Sequence, residues 1–247
     1  MNILIVGATS AMAYEAAKCF AAERASLFLV ARNIQKLSAV REDLLVRGAQ
    51  RVETFALDMT EIVRHQELLD AALSAFGDLD MLLLAYGTLE VQRELQASVE
   101  RTLHSLNDNF VSPIAFLTIA ANYFEARKSG CIAIISSVAG DRGRQANYVY
   151  GAAKGGLHTF AQGLRNRLFK SGVRVLTIKP GPVDTPMTTT HMKNPLFISA
   201  ERAGTRIYRA MKGREDVIYV PWFWREIMTV LISLPEIIFK RTNLKGG

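Results

Sequence analysis

Short apolar runs alternate with longer amphipathic stretches along this chain of 247 residues. Between most of the runs, apolar positions recur at helical spacing, for example over residues 14–23, 34–47 and 62–76. Buried strands that alternate with helices are typical of a parallel sheet covered by helices on both faces. We therefore predict a doubly wound α/β fold, with a single domain over residues 1–220. The predicted strands are residues 3–6, 27–30, 51–56, 81–84, 132–135, 173–178 and 217–220.

The segment 221–247 has a different pattern, which predicts an apolar, helical C-terminal tail. Trp222 and Trp224 stand at its start, and Lys240 and Arg241 follow its apolar part. Its apolar positions at helical spacing are Ile227, Val230, Leu231, Leu234 and Ile238. A helix with aromatic and basic ends is typical of segments that lie in a membrane interface. The same stripe can instead pack on the domain or on another subunit, so both alternatives stay open.

The charge of the chain narrows the classes of partner. The net charge is +7, from 30 basic and 23 acidic residues. Because the basic residues are scattered and no aromatic RNA-binding motif is present, nucleic acid is not the expected partner. An anionic cofactor together with an anionic membrane surface fits the excess better. No stretch reaches the roughly 18 uncharged apolar residues of a spanning helix.

The cysteines and the N-terminus favour a location inside the cell. Cys19 and Cys131 both lie in apolar runs, as buried thiols in a reducing compartment do. The N-terminus has neither the basic region nor the cleavage site of a signal peptide. We expect a cytoplasmic protein, with peripheral contact at the inner face of the membrane as an addition.

In a sheet of this kind, ligands bind beyond the carboxyl ends of the strands, so the residues after each apolar run are the first candidates. The loop after the first run reads Gly7, Ala8, Thr9, Ser10, Ala11, Met12 and Ala13. Dinucleotide-binding loops usually carry three glycines, whereas here Ala11 and Ala13 take the later places. The helix that begins near Ala11 still presents free N–H groups to a phosphate. The loop therefore predicts a Rossmann-type dinucleotide site, with a plain strand-to-helix turn as the alternative.

The end of the second run favours a phosphorylated dinucleotide. A site for NAD(H) normally places an acidic residue there for the ribose 2′-hydroxyl, but this chain has Ala31 followed by Arg32. A guanidinium can pair bidentately with a 2′-phosphate, and Asn33 offers a further donor. After the third run, Asp58 is placed to accept a hydrogen bond from the adenine amino group. We predict NADP(H) as the cofactor, with NAD(H) or a merely solvated Arg32 as the alternatives.

A serine, a tyrosine and a lysine form the strongest chemical pattern. Ser137 ends the fifth run, and Lys154 follows Tyr150 by four positions, which places both side chains on one face of a helix. A phenol has a pKa of about 10, and a nearby ammonium lowers it toward the working pH. The serine hydroxyl can donate to a substrate carbonyl oxygen. Asn109, on the preceding helical stretch, can hold a water near the lysine for proton relay.

These residues resemble the short-chain dehydrogenase/reductase family, over about residues 1–220. The resemblance rests on residues 7–13, Asp58, Asn109, Ser137, Tyr150, Lys154 and residues 180–185. It implies an oxidoreductase in which Tyr150 donates a proton during reduction. Lys154 would activate the tyrosine and bind the ribose, Ser137 would orient the carbonyl, and Asn109 would complete the relay. Val183 and Thr185 would contact the nicotinamide amide and the phosphate.

The predicted catalytic and cofactor-binding residues follow from the motifs and the resemblance together. The catalytic residues are Asn109, Ser137, Tyr150 and Lys154. The cofactor-binding residues are Gly7, Thr9, Ser10, Ala11, Met12, Arg32, Asn33, Asp58, Met59, Tyr86, Gly87, Tyr150, Lys154, Pro180, Gly181, Val183 and Thr185. No metal site is predicted, because His65, His104 and His158 lack metal-ligand spacing. We also expect a homo-oligomer, a dimer or a tetramer, and His191 is a candidate for covering the substrate.

The chain departs from the family after the fourth run, and it also resembles one branch more loosely. Leu84-Ala85-Tyr86-Gly87 stands where the family often has Asn-Asn-Ala-Gly, and because both asparagines are missing we expect lost hydrogen bonds in this loop. The first loop, residues 85–89 and the tail are similar to a branch that reduces the 2-keto sugar of decaprenylphosphoryl-ribose-like lipids. This similarity implies a lipid-linked carbonyl substrate, with the tail bringing the protein to it rather than completing the fold. The alternatives are 3-ketoacyl, steroid-like or small carbonyl substrates, or a non-catalytic NADP(H)-binding regulator.

Overall fold

A computed structural model describes residues 1–189 and 194–242; the candidate His191 and the last five residues of the tail lie outside the described residues. The strands within them are β1 Asn2–Val6, β2 Ser26–Ala31, β3 Arg51–Ala56, β4 Met81–Leu84, β5 Gly130–Ile135, β6 Val173–Pro180, β7 Val183–Asp184, β8 Ile198–Ser199 and β9 Val217–Val220. Seven of these strands form one fully parallel sheet in the order β3-β2-β1-β4-β5-β6-β9, and β7 and β8 form a separate pair. All seven predicted strands are confirmed. The short pair β7 and β8 was not predicted, because two residues are too few to show a periodicity.

Helices connect the strands and cover both faces of the sheet. The α-helices are α1 Ala11–Ala22, α2 Ile34–Val46, α3 His65–Phe76, α4 Gln92–Leu95, α5 Val99–Leu106, α6 Ser112–Arg127, α7 Tyr148–Phe169, α8 Ala200–Lys212, α9 Trp224–Ser233 and α10 Glu236–Phe239. Single turns of 3₁₀ helix occur at Ile62–Arg64, Val138–Gly140 and Pro186–Thr188, and a π-helical turn occurs at Asn107–Val111.

The core has two layers because successive side chains of a strand point to opposite faces. On β1, Ile3 and Ile5 belong to one buried cluster, which also contains Phe20 of α1 and Ile207 of α8. Leu4, the residue between them, belongs to the other buried cluster, together with residues of α3, α6 and α7. Helices therefore pack on both faces, and the predicted doubly wound, Rossmann-type architecture is confirmed.

The strand order reverses beside β1, which places a crevice at the carboxyl ends of β1 and β4. From β1 the chain runs outward to β2 and β3, and then returns to form β4 on the other side of β1. The loops that follow β1 and β4 diverge at this point, so a ligand can enter between them. The architecture thus directs the candidate residues after β1, β2, β4, β5 and β6 to one edge of the sheet.

The tail forms two helices instead of one continuous helix. Pro235 separates α9 from α10, because a proline ring lacks the N–H and clashes with the preceding turn of a helix. Trp224 and Met228 of α9 are buried in a small cluster with Val138. The start of the tail therefore completes part of the fold, which differs from our expectation. The opposite side of α9 stays open, with Val230 60% exposed.

Arg142 holds the end of α9 against the domain. Its Nη1 donates to the carbonyl oxygens of Leu231 at 2.5 Å, Ile232 at 3.0 Å and Leu234 at 2.7 Å. Its guanidinium also lies 3.7 Å from the ring centroid of Phe239. A cation at the carboxyl end of a helix pairs with carbonyl groups that have no partner within the helix. No helix in residues 1–189 or 194–242 combines the length and apolar character needed to cross a membrane.

Candidate active site

Two adjoining cavities at the carboxyl edge of the sheet contain most of the predicted site residues. The first, of about 280 Å³, is lined by Gly7, Thr9, Ser10, Ala11, Met12, Arg32, Asp58, Met59, Tyr86, Gly87 and Thr185, among others. The second, of about 130 Å³, is lined by Ser137, Tyr150, Lys154, Pro180, Gly181 and Val183, among others. Ser10, Met12, Tyr86, Gly87 and Thr185 line both. Of the predicted residues, Asn33 and Asn109 line neither cavity.

Gly7 is required where the loops after β1 and β4 touch. Its φ is +87°, and a Cβ on it would lie 2.8 Å from backbone atoms of Ala85 and Tyr86. A side chain at position 7 would therefore be strained by its own backbone and would push on a neighbouring backbone. The structure supports the predicted role of Gly7 as the residue that permits the tight turn.

The alanines that replace the usual glycines are accommodated without strain. Ala11 and Ala13 lie in the first turn of α1, and in the described part of the chain positive φ outside glycine occurs at Arg24 and Lys128. Ser10 precedes the helix, and its side chain makes no capping hydrogen bond. The first N–H groups of α1 thus face the first cavity uncapped, at the positive end of the helix dipole. This end of the cavity suits the pyrophosphate of a dinucleotide.

Arg32 and Asp58 form the far end of the first cavity. Arg32 Nη1 lies 3.4 Å from Asp58 Oδ2, and the arginine side chain is 66% exposed. Burial raises the pKa of Asp58, but hydrogen bonds from Thr60 and the charge of Arg32 outweigh it, so the pKa lies below its usual value. Arg32 is therefore held at this end of the cavity by one long ion pair, and its exposed guanidinium can still pair with a second anionic group.

Asn33 has a structural role that the sequence analysis did not predict. Its Oδ1 accepts a hydrogen bond from the backbone N–H of Lys36 at 2.8 Å and caps the start of α2. The preference of asparagine for this capping position explains its place in the sequence. The structure gives no support to Asn33 as a cofactor ligand.

Tyr86 anchors the loop after β4, in which Leu84 and Ala85 stand where the family often has asparagines. Its buried hydroxyl donates to Ser112 Oγ at 2.8 Å, while Ser112 in turn donates to the carbonyl oxygen of Met59. Burial raises the pKa of Tyr86, so the phenol stays neutral. A chain of two side chains therefore joins the loop after β4 to α6 and to the loop after β3, by hydrogen bonds that the sequence analysis did not predict.

Asn109 is buried in the π-helical turn between α5 and α6, a feature that is frequent at functional sites. Its Oδ1 accepts from the backbone N–H of Thr88 at 3.0 Å, and its Nδ2 donates to the carbonyl of Ser105 at 3.0 Å. A Cβ on Gly87 would lie 2.6 Å from Asn109 Oδ1 and 3.2 Å from Lys154 Nζ. Asn109 thus fixes the loop after β4 beside the lysine, and its part in a water relay stays a prediction.

Ser137, Tyr150 and Lys154 come together as their spacing predicts. Ser137 Oγ accepts from the backbone N–H of Ala139 at 3.1 Å, which leaves its hydrogen free to donate. Ser137 lies close enough to Tyr150 to oppose the rise in its pKa, and Lys154 Nζ lies 5.6 Å from the centroid of the Tyr150 ring. These are the three side chains that acid–base chemistry at a carbonyl oxygen needs.

Burial controls the protonation of the tyrosine and the lysine. It raises the pKa of Tyr150 to about 12, against the opposing effect of the hydrogen bond to Ser137, and it lowers the pKa of Lys154 to about 8. Our expectation that the ammonium brings the phenol near neutral pKa is not met, because desolvation of the phenolate is the larger effect. At neutral pH Tyr150 is therefore a neutral phenol, the form that can donate a proton.

The residues of the second cavity that the sequence analysis missed include Arg144, Asn147 and Trp224. Arg144 and Asn147 lie in the segment between Ser137 and Tyr150, and a polar segment between two catalytic residues could have drawn attention to them. Trp224 was assigned to the tail because no local pattern shows where α9 docks.

Comparison with known proteins agrees with the fold. A protein-family model described as short chain dehydrogenase matches residues 1–195. An uncharacterized oxidoreductase of Mycobacterium tuberculosis is 32% identical over 239 residues, which cover 97% of this chain and 96% of that protein. An uncharacterized oxidoreductase of Streptomyces coelicolor is 29% identical over 241 residues, 97% of this chain and 95% of that protein.

A solved structure of a short chain dehydrogenase/reductase family protein has the same fold. It superposes with a TM-score of 0.76 at 22% identity and covers 88% of this chain and 94% of its own. The chain belongs to the short-chain dehydrogenase family and is a dehydrogenase/reductase enzyme. Members of this family use NAD(P)(H), act on small-molecule substrates and commonly form oligomers.

Proposed function

We propose that this enzyme reduces a ketone to a secondary alcohol and uses NADP(H). The observation that carries the proposal is that Ser137, Tyr150 and Lys154 line one cavity, which adjoins the cleft at the start of α1, with Lys154 beside the neutral phenol of Tyr150. When bound, the dinucleotide supplies the hydride. The chain itself supplies the proton and the orientation of the carbonyl.

The residues of the first cavity fit a phosphorylated dinucleotide. The uncapped first turn of α1 suits a pyrophosphate, and Gly7 keeps the approach to it open. Arg32 lines the far end of the cavity. No acidic side chain stands at the end of β2, where Ala31 is the last residue and Arg32 follows it. A guanidinium favours a 2′-phosphate over a 2′-hydroxyl, so NADP(H) is the proposed cofactor and NAD(H) is the alternative.

Each catalytic side chain has a distinct task in this proposal. The free hydrogen of Ser137 Oγ orients the substrate carbonyl oxygen beside Tyr150. The Tyr150 hydroxyl then donates its proton to that oxygen, and the charge of Lys154 stabilises the resulting phenolate. Asn109 keeps the loop after β4 at the distance from Lys154 that this arrangement needs.

The substrate we favour is a keto-sugar linked to a polyprenyl phosphate. The net charge of +7 and the exposed apolar residues of the tail, such as Trp222 at 73% and Ile237 at 61% exposure, support an anionic, lipid-linked molecule met at a membrane surface. Smaller carbonyl, 3-ketoacyl or steroid-like substrates are the alternatives. A non-catalytic regulator is disfavoured, because the serine, tyrosine and lysine are all present and adjacent.

The proposal is tested by measuring NADPH oxidation with a panel of ketones. Tyr150→Phe keeps the ring but removes the proton, so it should bind NADPH normally and lose turnover by about 10²–10⁴-fold. The matched control is Tyr148→Phe, which removes the same hydroxyl from a side chain that is 44% exposed and should change turnover little. Turnover of Tyr150→Phe at the rate of the unmodified enzyme would show that the proton donor is misassigned.

A further inference from the structure

The second cavity is lined by a partly buried cation. Arg144 lines it together with Ser137 and Tyr150, and the side-chain Nε of Arg144 is buried without a hydrogen-bond partner. Burial lowers the pKa of Arg144 against the opposing charge of Asp141. Arginine nevertheless keeps its proton in proteins. The positive charge is therefore held inside the catalytic cavity.

The acidic residue that acts on Arg144 is already neutralised by other groups. Asp141 Oδ1 lies 2.5 Å from Lys179 Nζ, and its Oδ2 accepts from the Tyr219 hydroxyl at 2.8 Å. His158 Nδ1 lies a further 3.3 Å from Asp141 Oδ1. Across residues 1–189 and 194–242, Arg144 itself makes no ion pair. A partly desolvated charge without a counter-charge is unfavourable, and an anion bound in the cavity would offset this cost.

Two further polar atoms of the same cavity are buried and unpaired. Trp224 Nε1 can donate a hydrogen bond, and Asn147 Oδ1 can accept one, yet neither has a partner in the described part of the chain. Buried polar groups are as a rule paired, so several unpaired ones around one cavity indicate a ligand that satisfies them. A charged donor and a neutral donor select an anionic acceptor, and the acceptor at Asn147 suits a neighbouring hydroxyl.

We propose that the catalytic cavity recognises an anionic group of the substrate, a phosphate or a carboxylate, through Arg144 with Trp224 as a second donor. This inference rests on the proposed function, because it places the anionic group near the carbonyl that Ser137 and Tyr150 receive. It also gives α9 a role in the site: docking of the tail on Val138 brings Trp224 into the cavity.

The test measures binding of small anions to the full chain. Hexyl phosphate, hexanoate and the neutral comparator hexanol are titrated by calorimetry into protein saturated with NADP⁺, so that the phosphate sites of the first cavity are filled. The variants are Arg144→Met, which removes the charge, and Arg144→Lys, which keeps it. Arg214→Met is the matched control, because Arg214 is exposed and lies before β9, at the opposite edge of the sheet from the site.

We expect at least one anion to bind more tightly than hexanol and to lose about tenfold or more in affinity with Arg144→Met, the range of a charge-assisted contact. Arg144→Lys should retain part of the affinity, and Arg214→Met should match the unmodified protein. The preferred anion, phosphate or carboxylate, identifies the substrate group. Equal affinity of the unmodified protein and Arg144→Met, or no anion binding to the unmodified protein, would overturn the inference.

The same titrations separate this inference from the proposed function. Affinity for NADP⁺ is measured for each protein, and it should not change with Arg144→Met. Binding of an anion through Arg144 in a protein that binds no NADP⁺ would support the anion site and contradict the proposed cofactor. Binding of NADP⁺ together with anion affinities that do not depend on Arg144 would support the proposed cofactor and contradict the anion site.

Discussion

Lys154 carries a buried charge that lowers the free energy of unfolding. Its side chain is 3% exposed, and burial lowers its pKa from 10.5 to about 8. At neutral pH the lysine is protonated in both the folded and the unfolded chain, so the folded state bears the whole cost of the buried charge. The difference between the two pKa values corresponds to about 3 kcal/mol in the free energy of unfolding.

Replacing Lys154 with methionine, which has a similar length and no charge, should therefore stabilise the protein without cofactor by about 3 kcal/mol near pH 7. Turnover should be lost, because the phenolate of Tyr150 would have no neighbouring cation. A site that sacrifices stability for its chemistry is common in enzymes. Urea unfolding of the two proteins measures the first effect, and NADPH oxidation measures the second.

The pH dependence provides the sharper test. The folded pKa of Lys154 lies below the unfolded value, so between pH 8 and 10.5 the unfolded chain binds more protons and the unmodified protein gains stability as the pH rises. Near pH 9.5 the cost of the buried charge should have fallen to about 1 kcal/mol. The difference in the free energy of unfolding between Lys154→Met and the unmodified protein should become smaller to the same extent.

The control for this experiment is Lys36→Met, which removes the same charge from an exposed position on α2. It should change the free energy of unfolding by no more than about 0.5 kcal/mol at either pH. A Lys154→Met protein that is less stable than the unmodified one, or a gap that is the same at both pH values, would refute the reasoning.

Two other predictions concern the cofactor and the tail. Arg32→Ala should weaken NADPH binding by about 1.5–3 kcal/mol and leave NADH binding nearly unchanged, as measured by fluorescence titration; equal NADPH affinity in both proteins would remove Arg32 from the site. Met228→Ala, at a fully buried position of α9, should lower the free energy of unfolding by about 2–5 kcal/mol. Val230→Ala, 60% exposed on the same helix, should change it by less than about 0.5 kcal/mol, and similar losses for the two variants would contradict the docking of α9.

The sequence by itself determined the strands, the sheet type and the pairing of Tyr150 with Lys154 on one helix face. Uninterrupted apolar runs, such as the one in β1, are local patterns, and they are expected for inner strands that are buried on both faces of the sheet. The spacing of Tyr150 and Lys154 fixes their common face, because one turn of helix separates them. Gly7 was recognisable for a similar reason, since a tight turn directly after a strand demands it.

The tertiary structure alone decided what surrounds these residues. Ser112 of α6 contacts Tyr86, and Trp224 of the tail contacts Val138. The residues of each pair are too far apart in the sequence for a local pattern to predict the contact. The pKa values of Tyr150 and Lys154 depend on how completely the packed chain excludes water, which overrode the expected effect of one charge on the other. Arg144 shows the same limit: its lack of a counter-ion is a property of the assembled cavity, because the sequence gives the charges but not the distances between them.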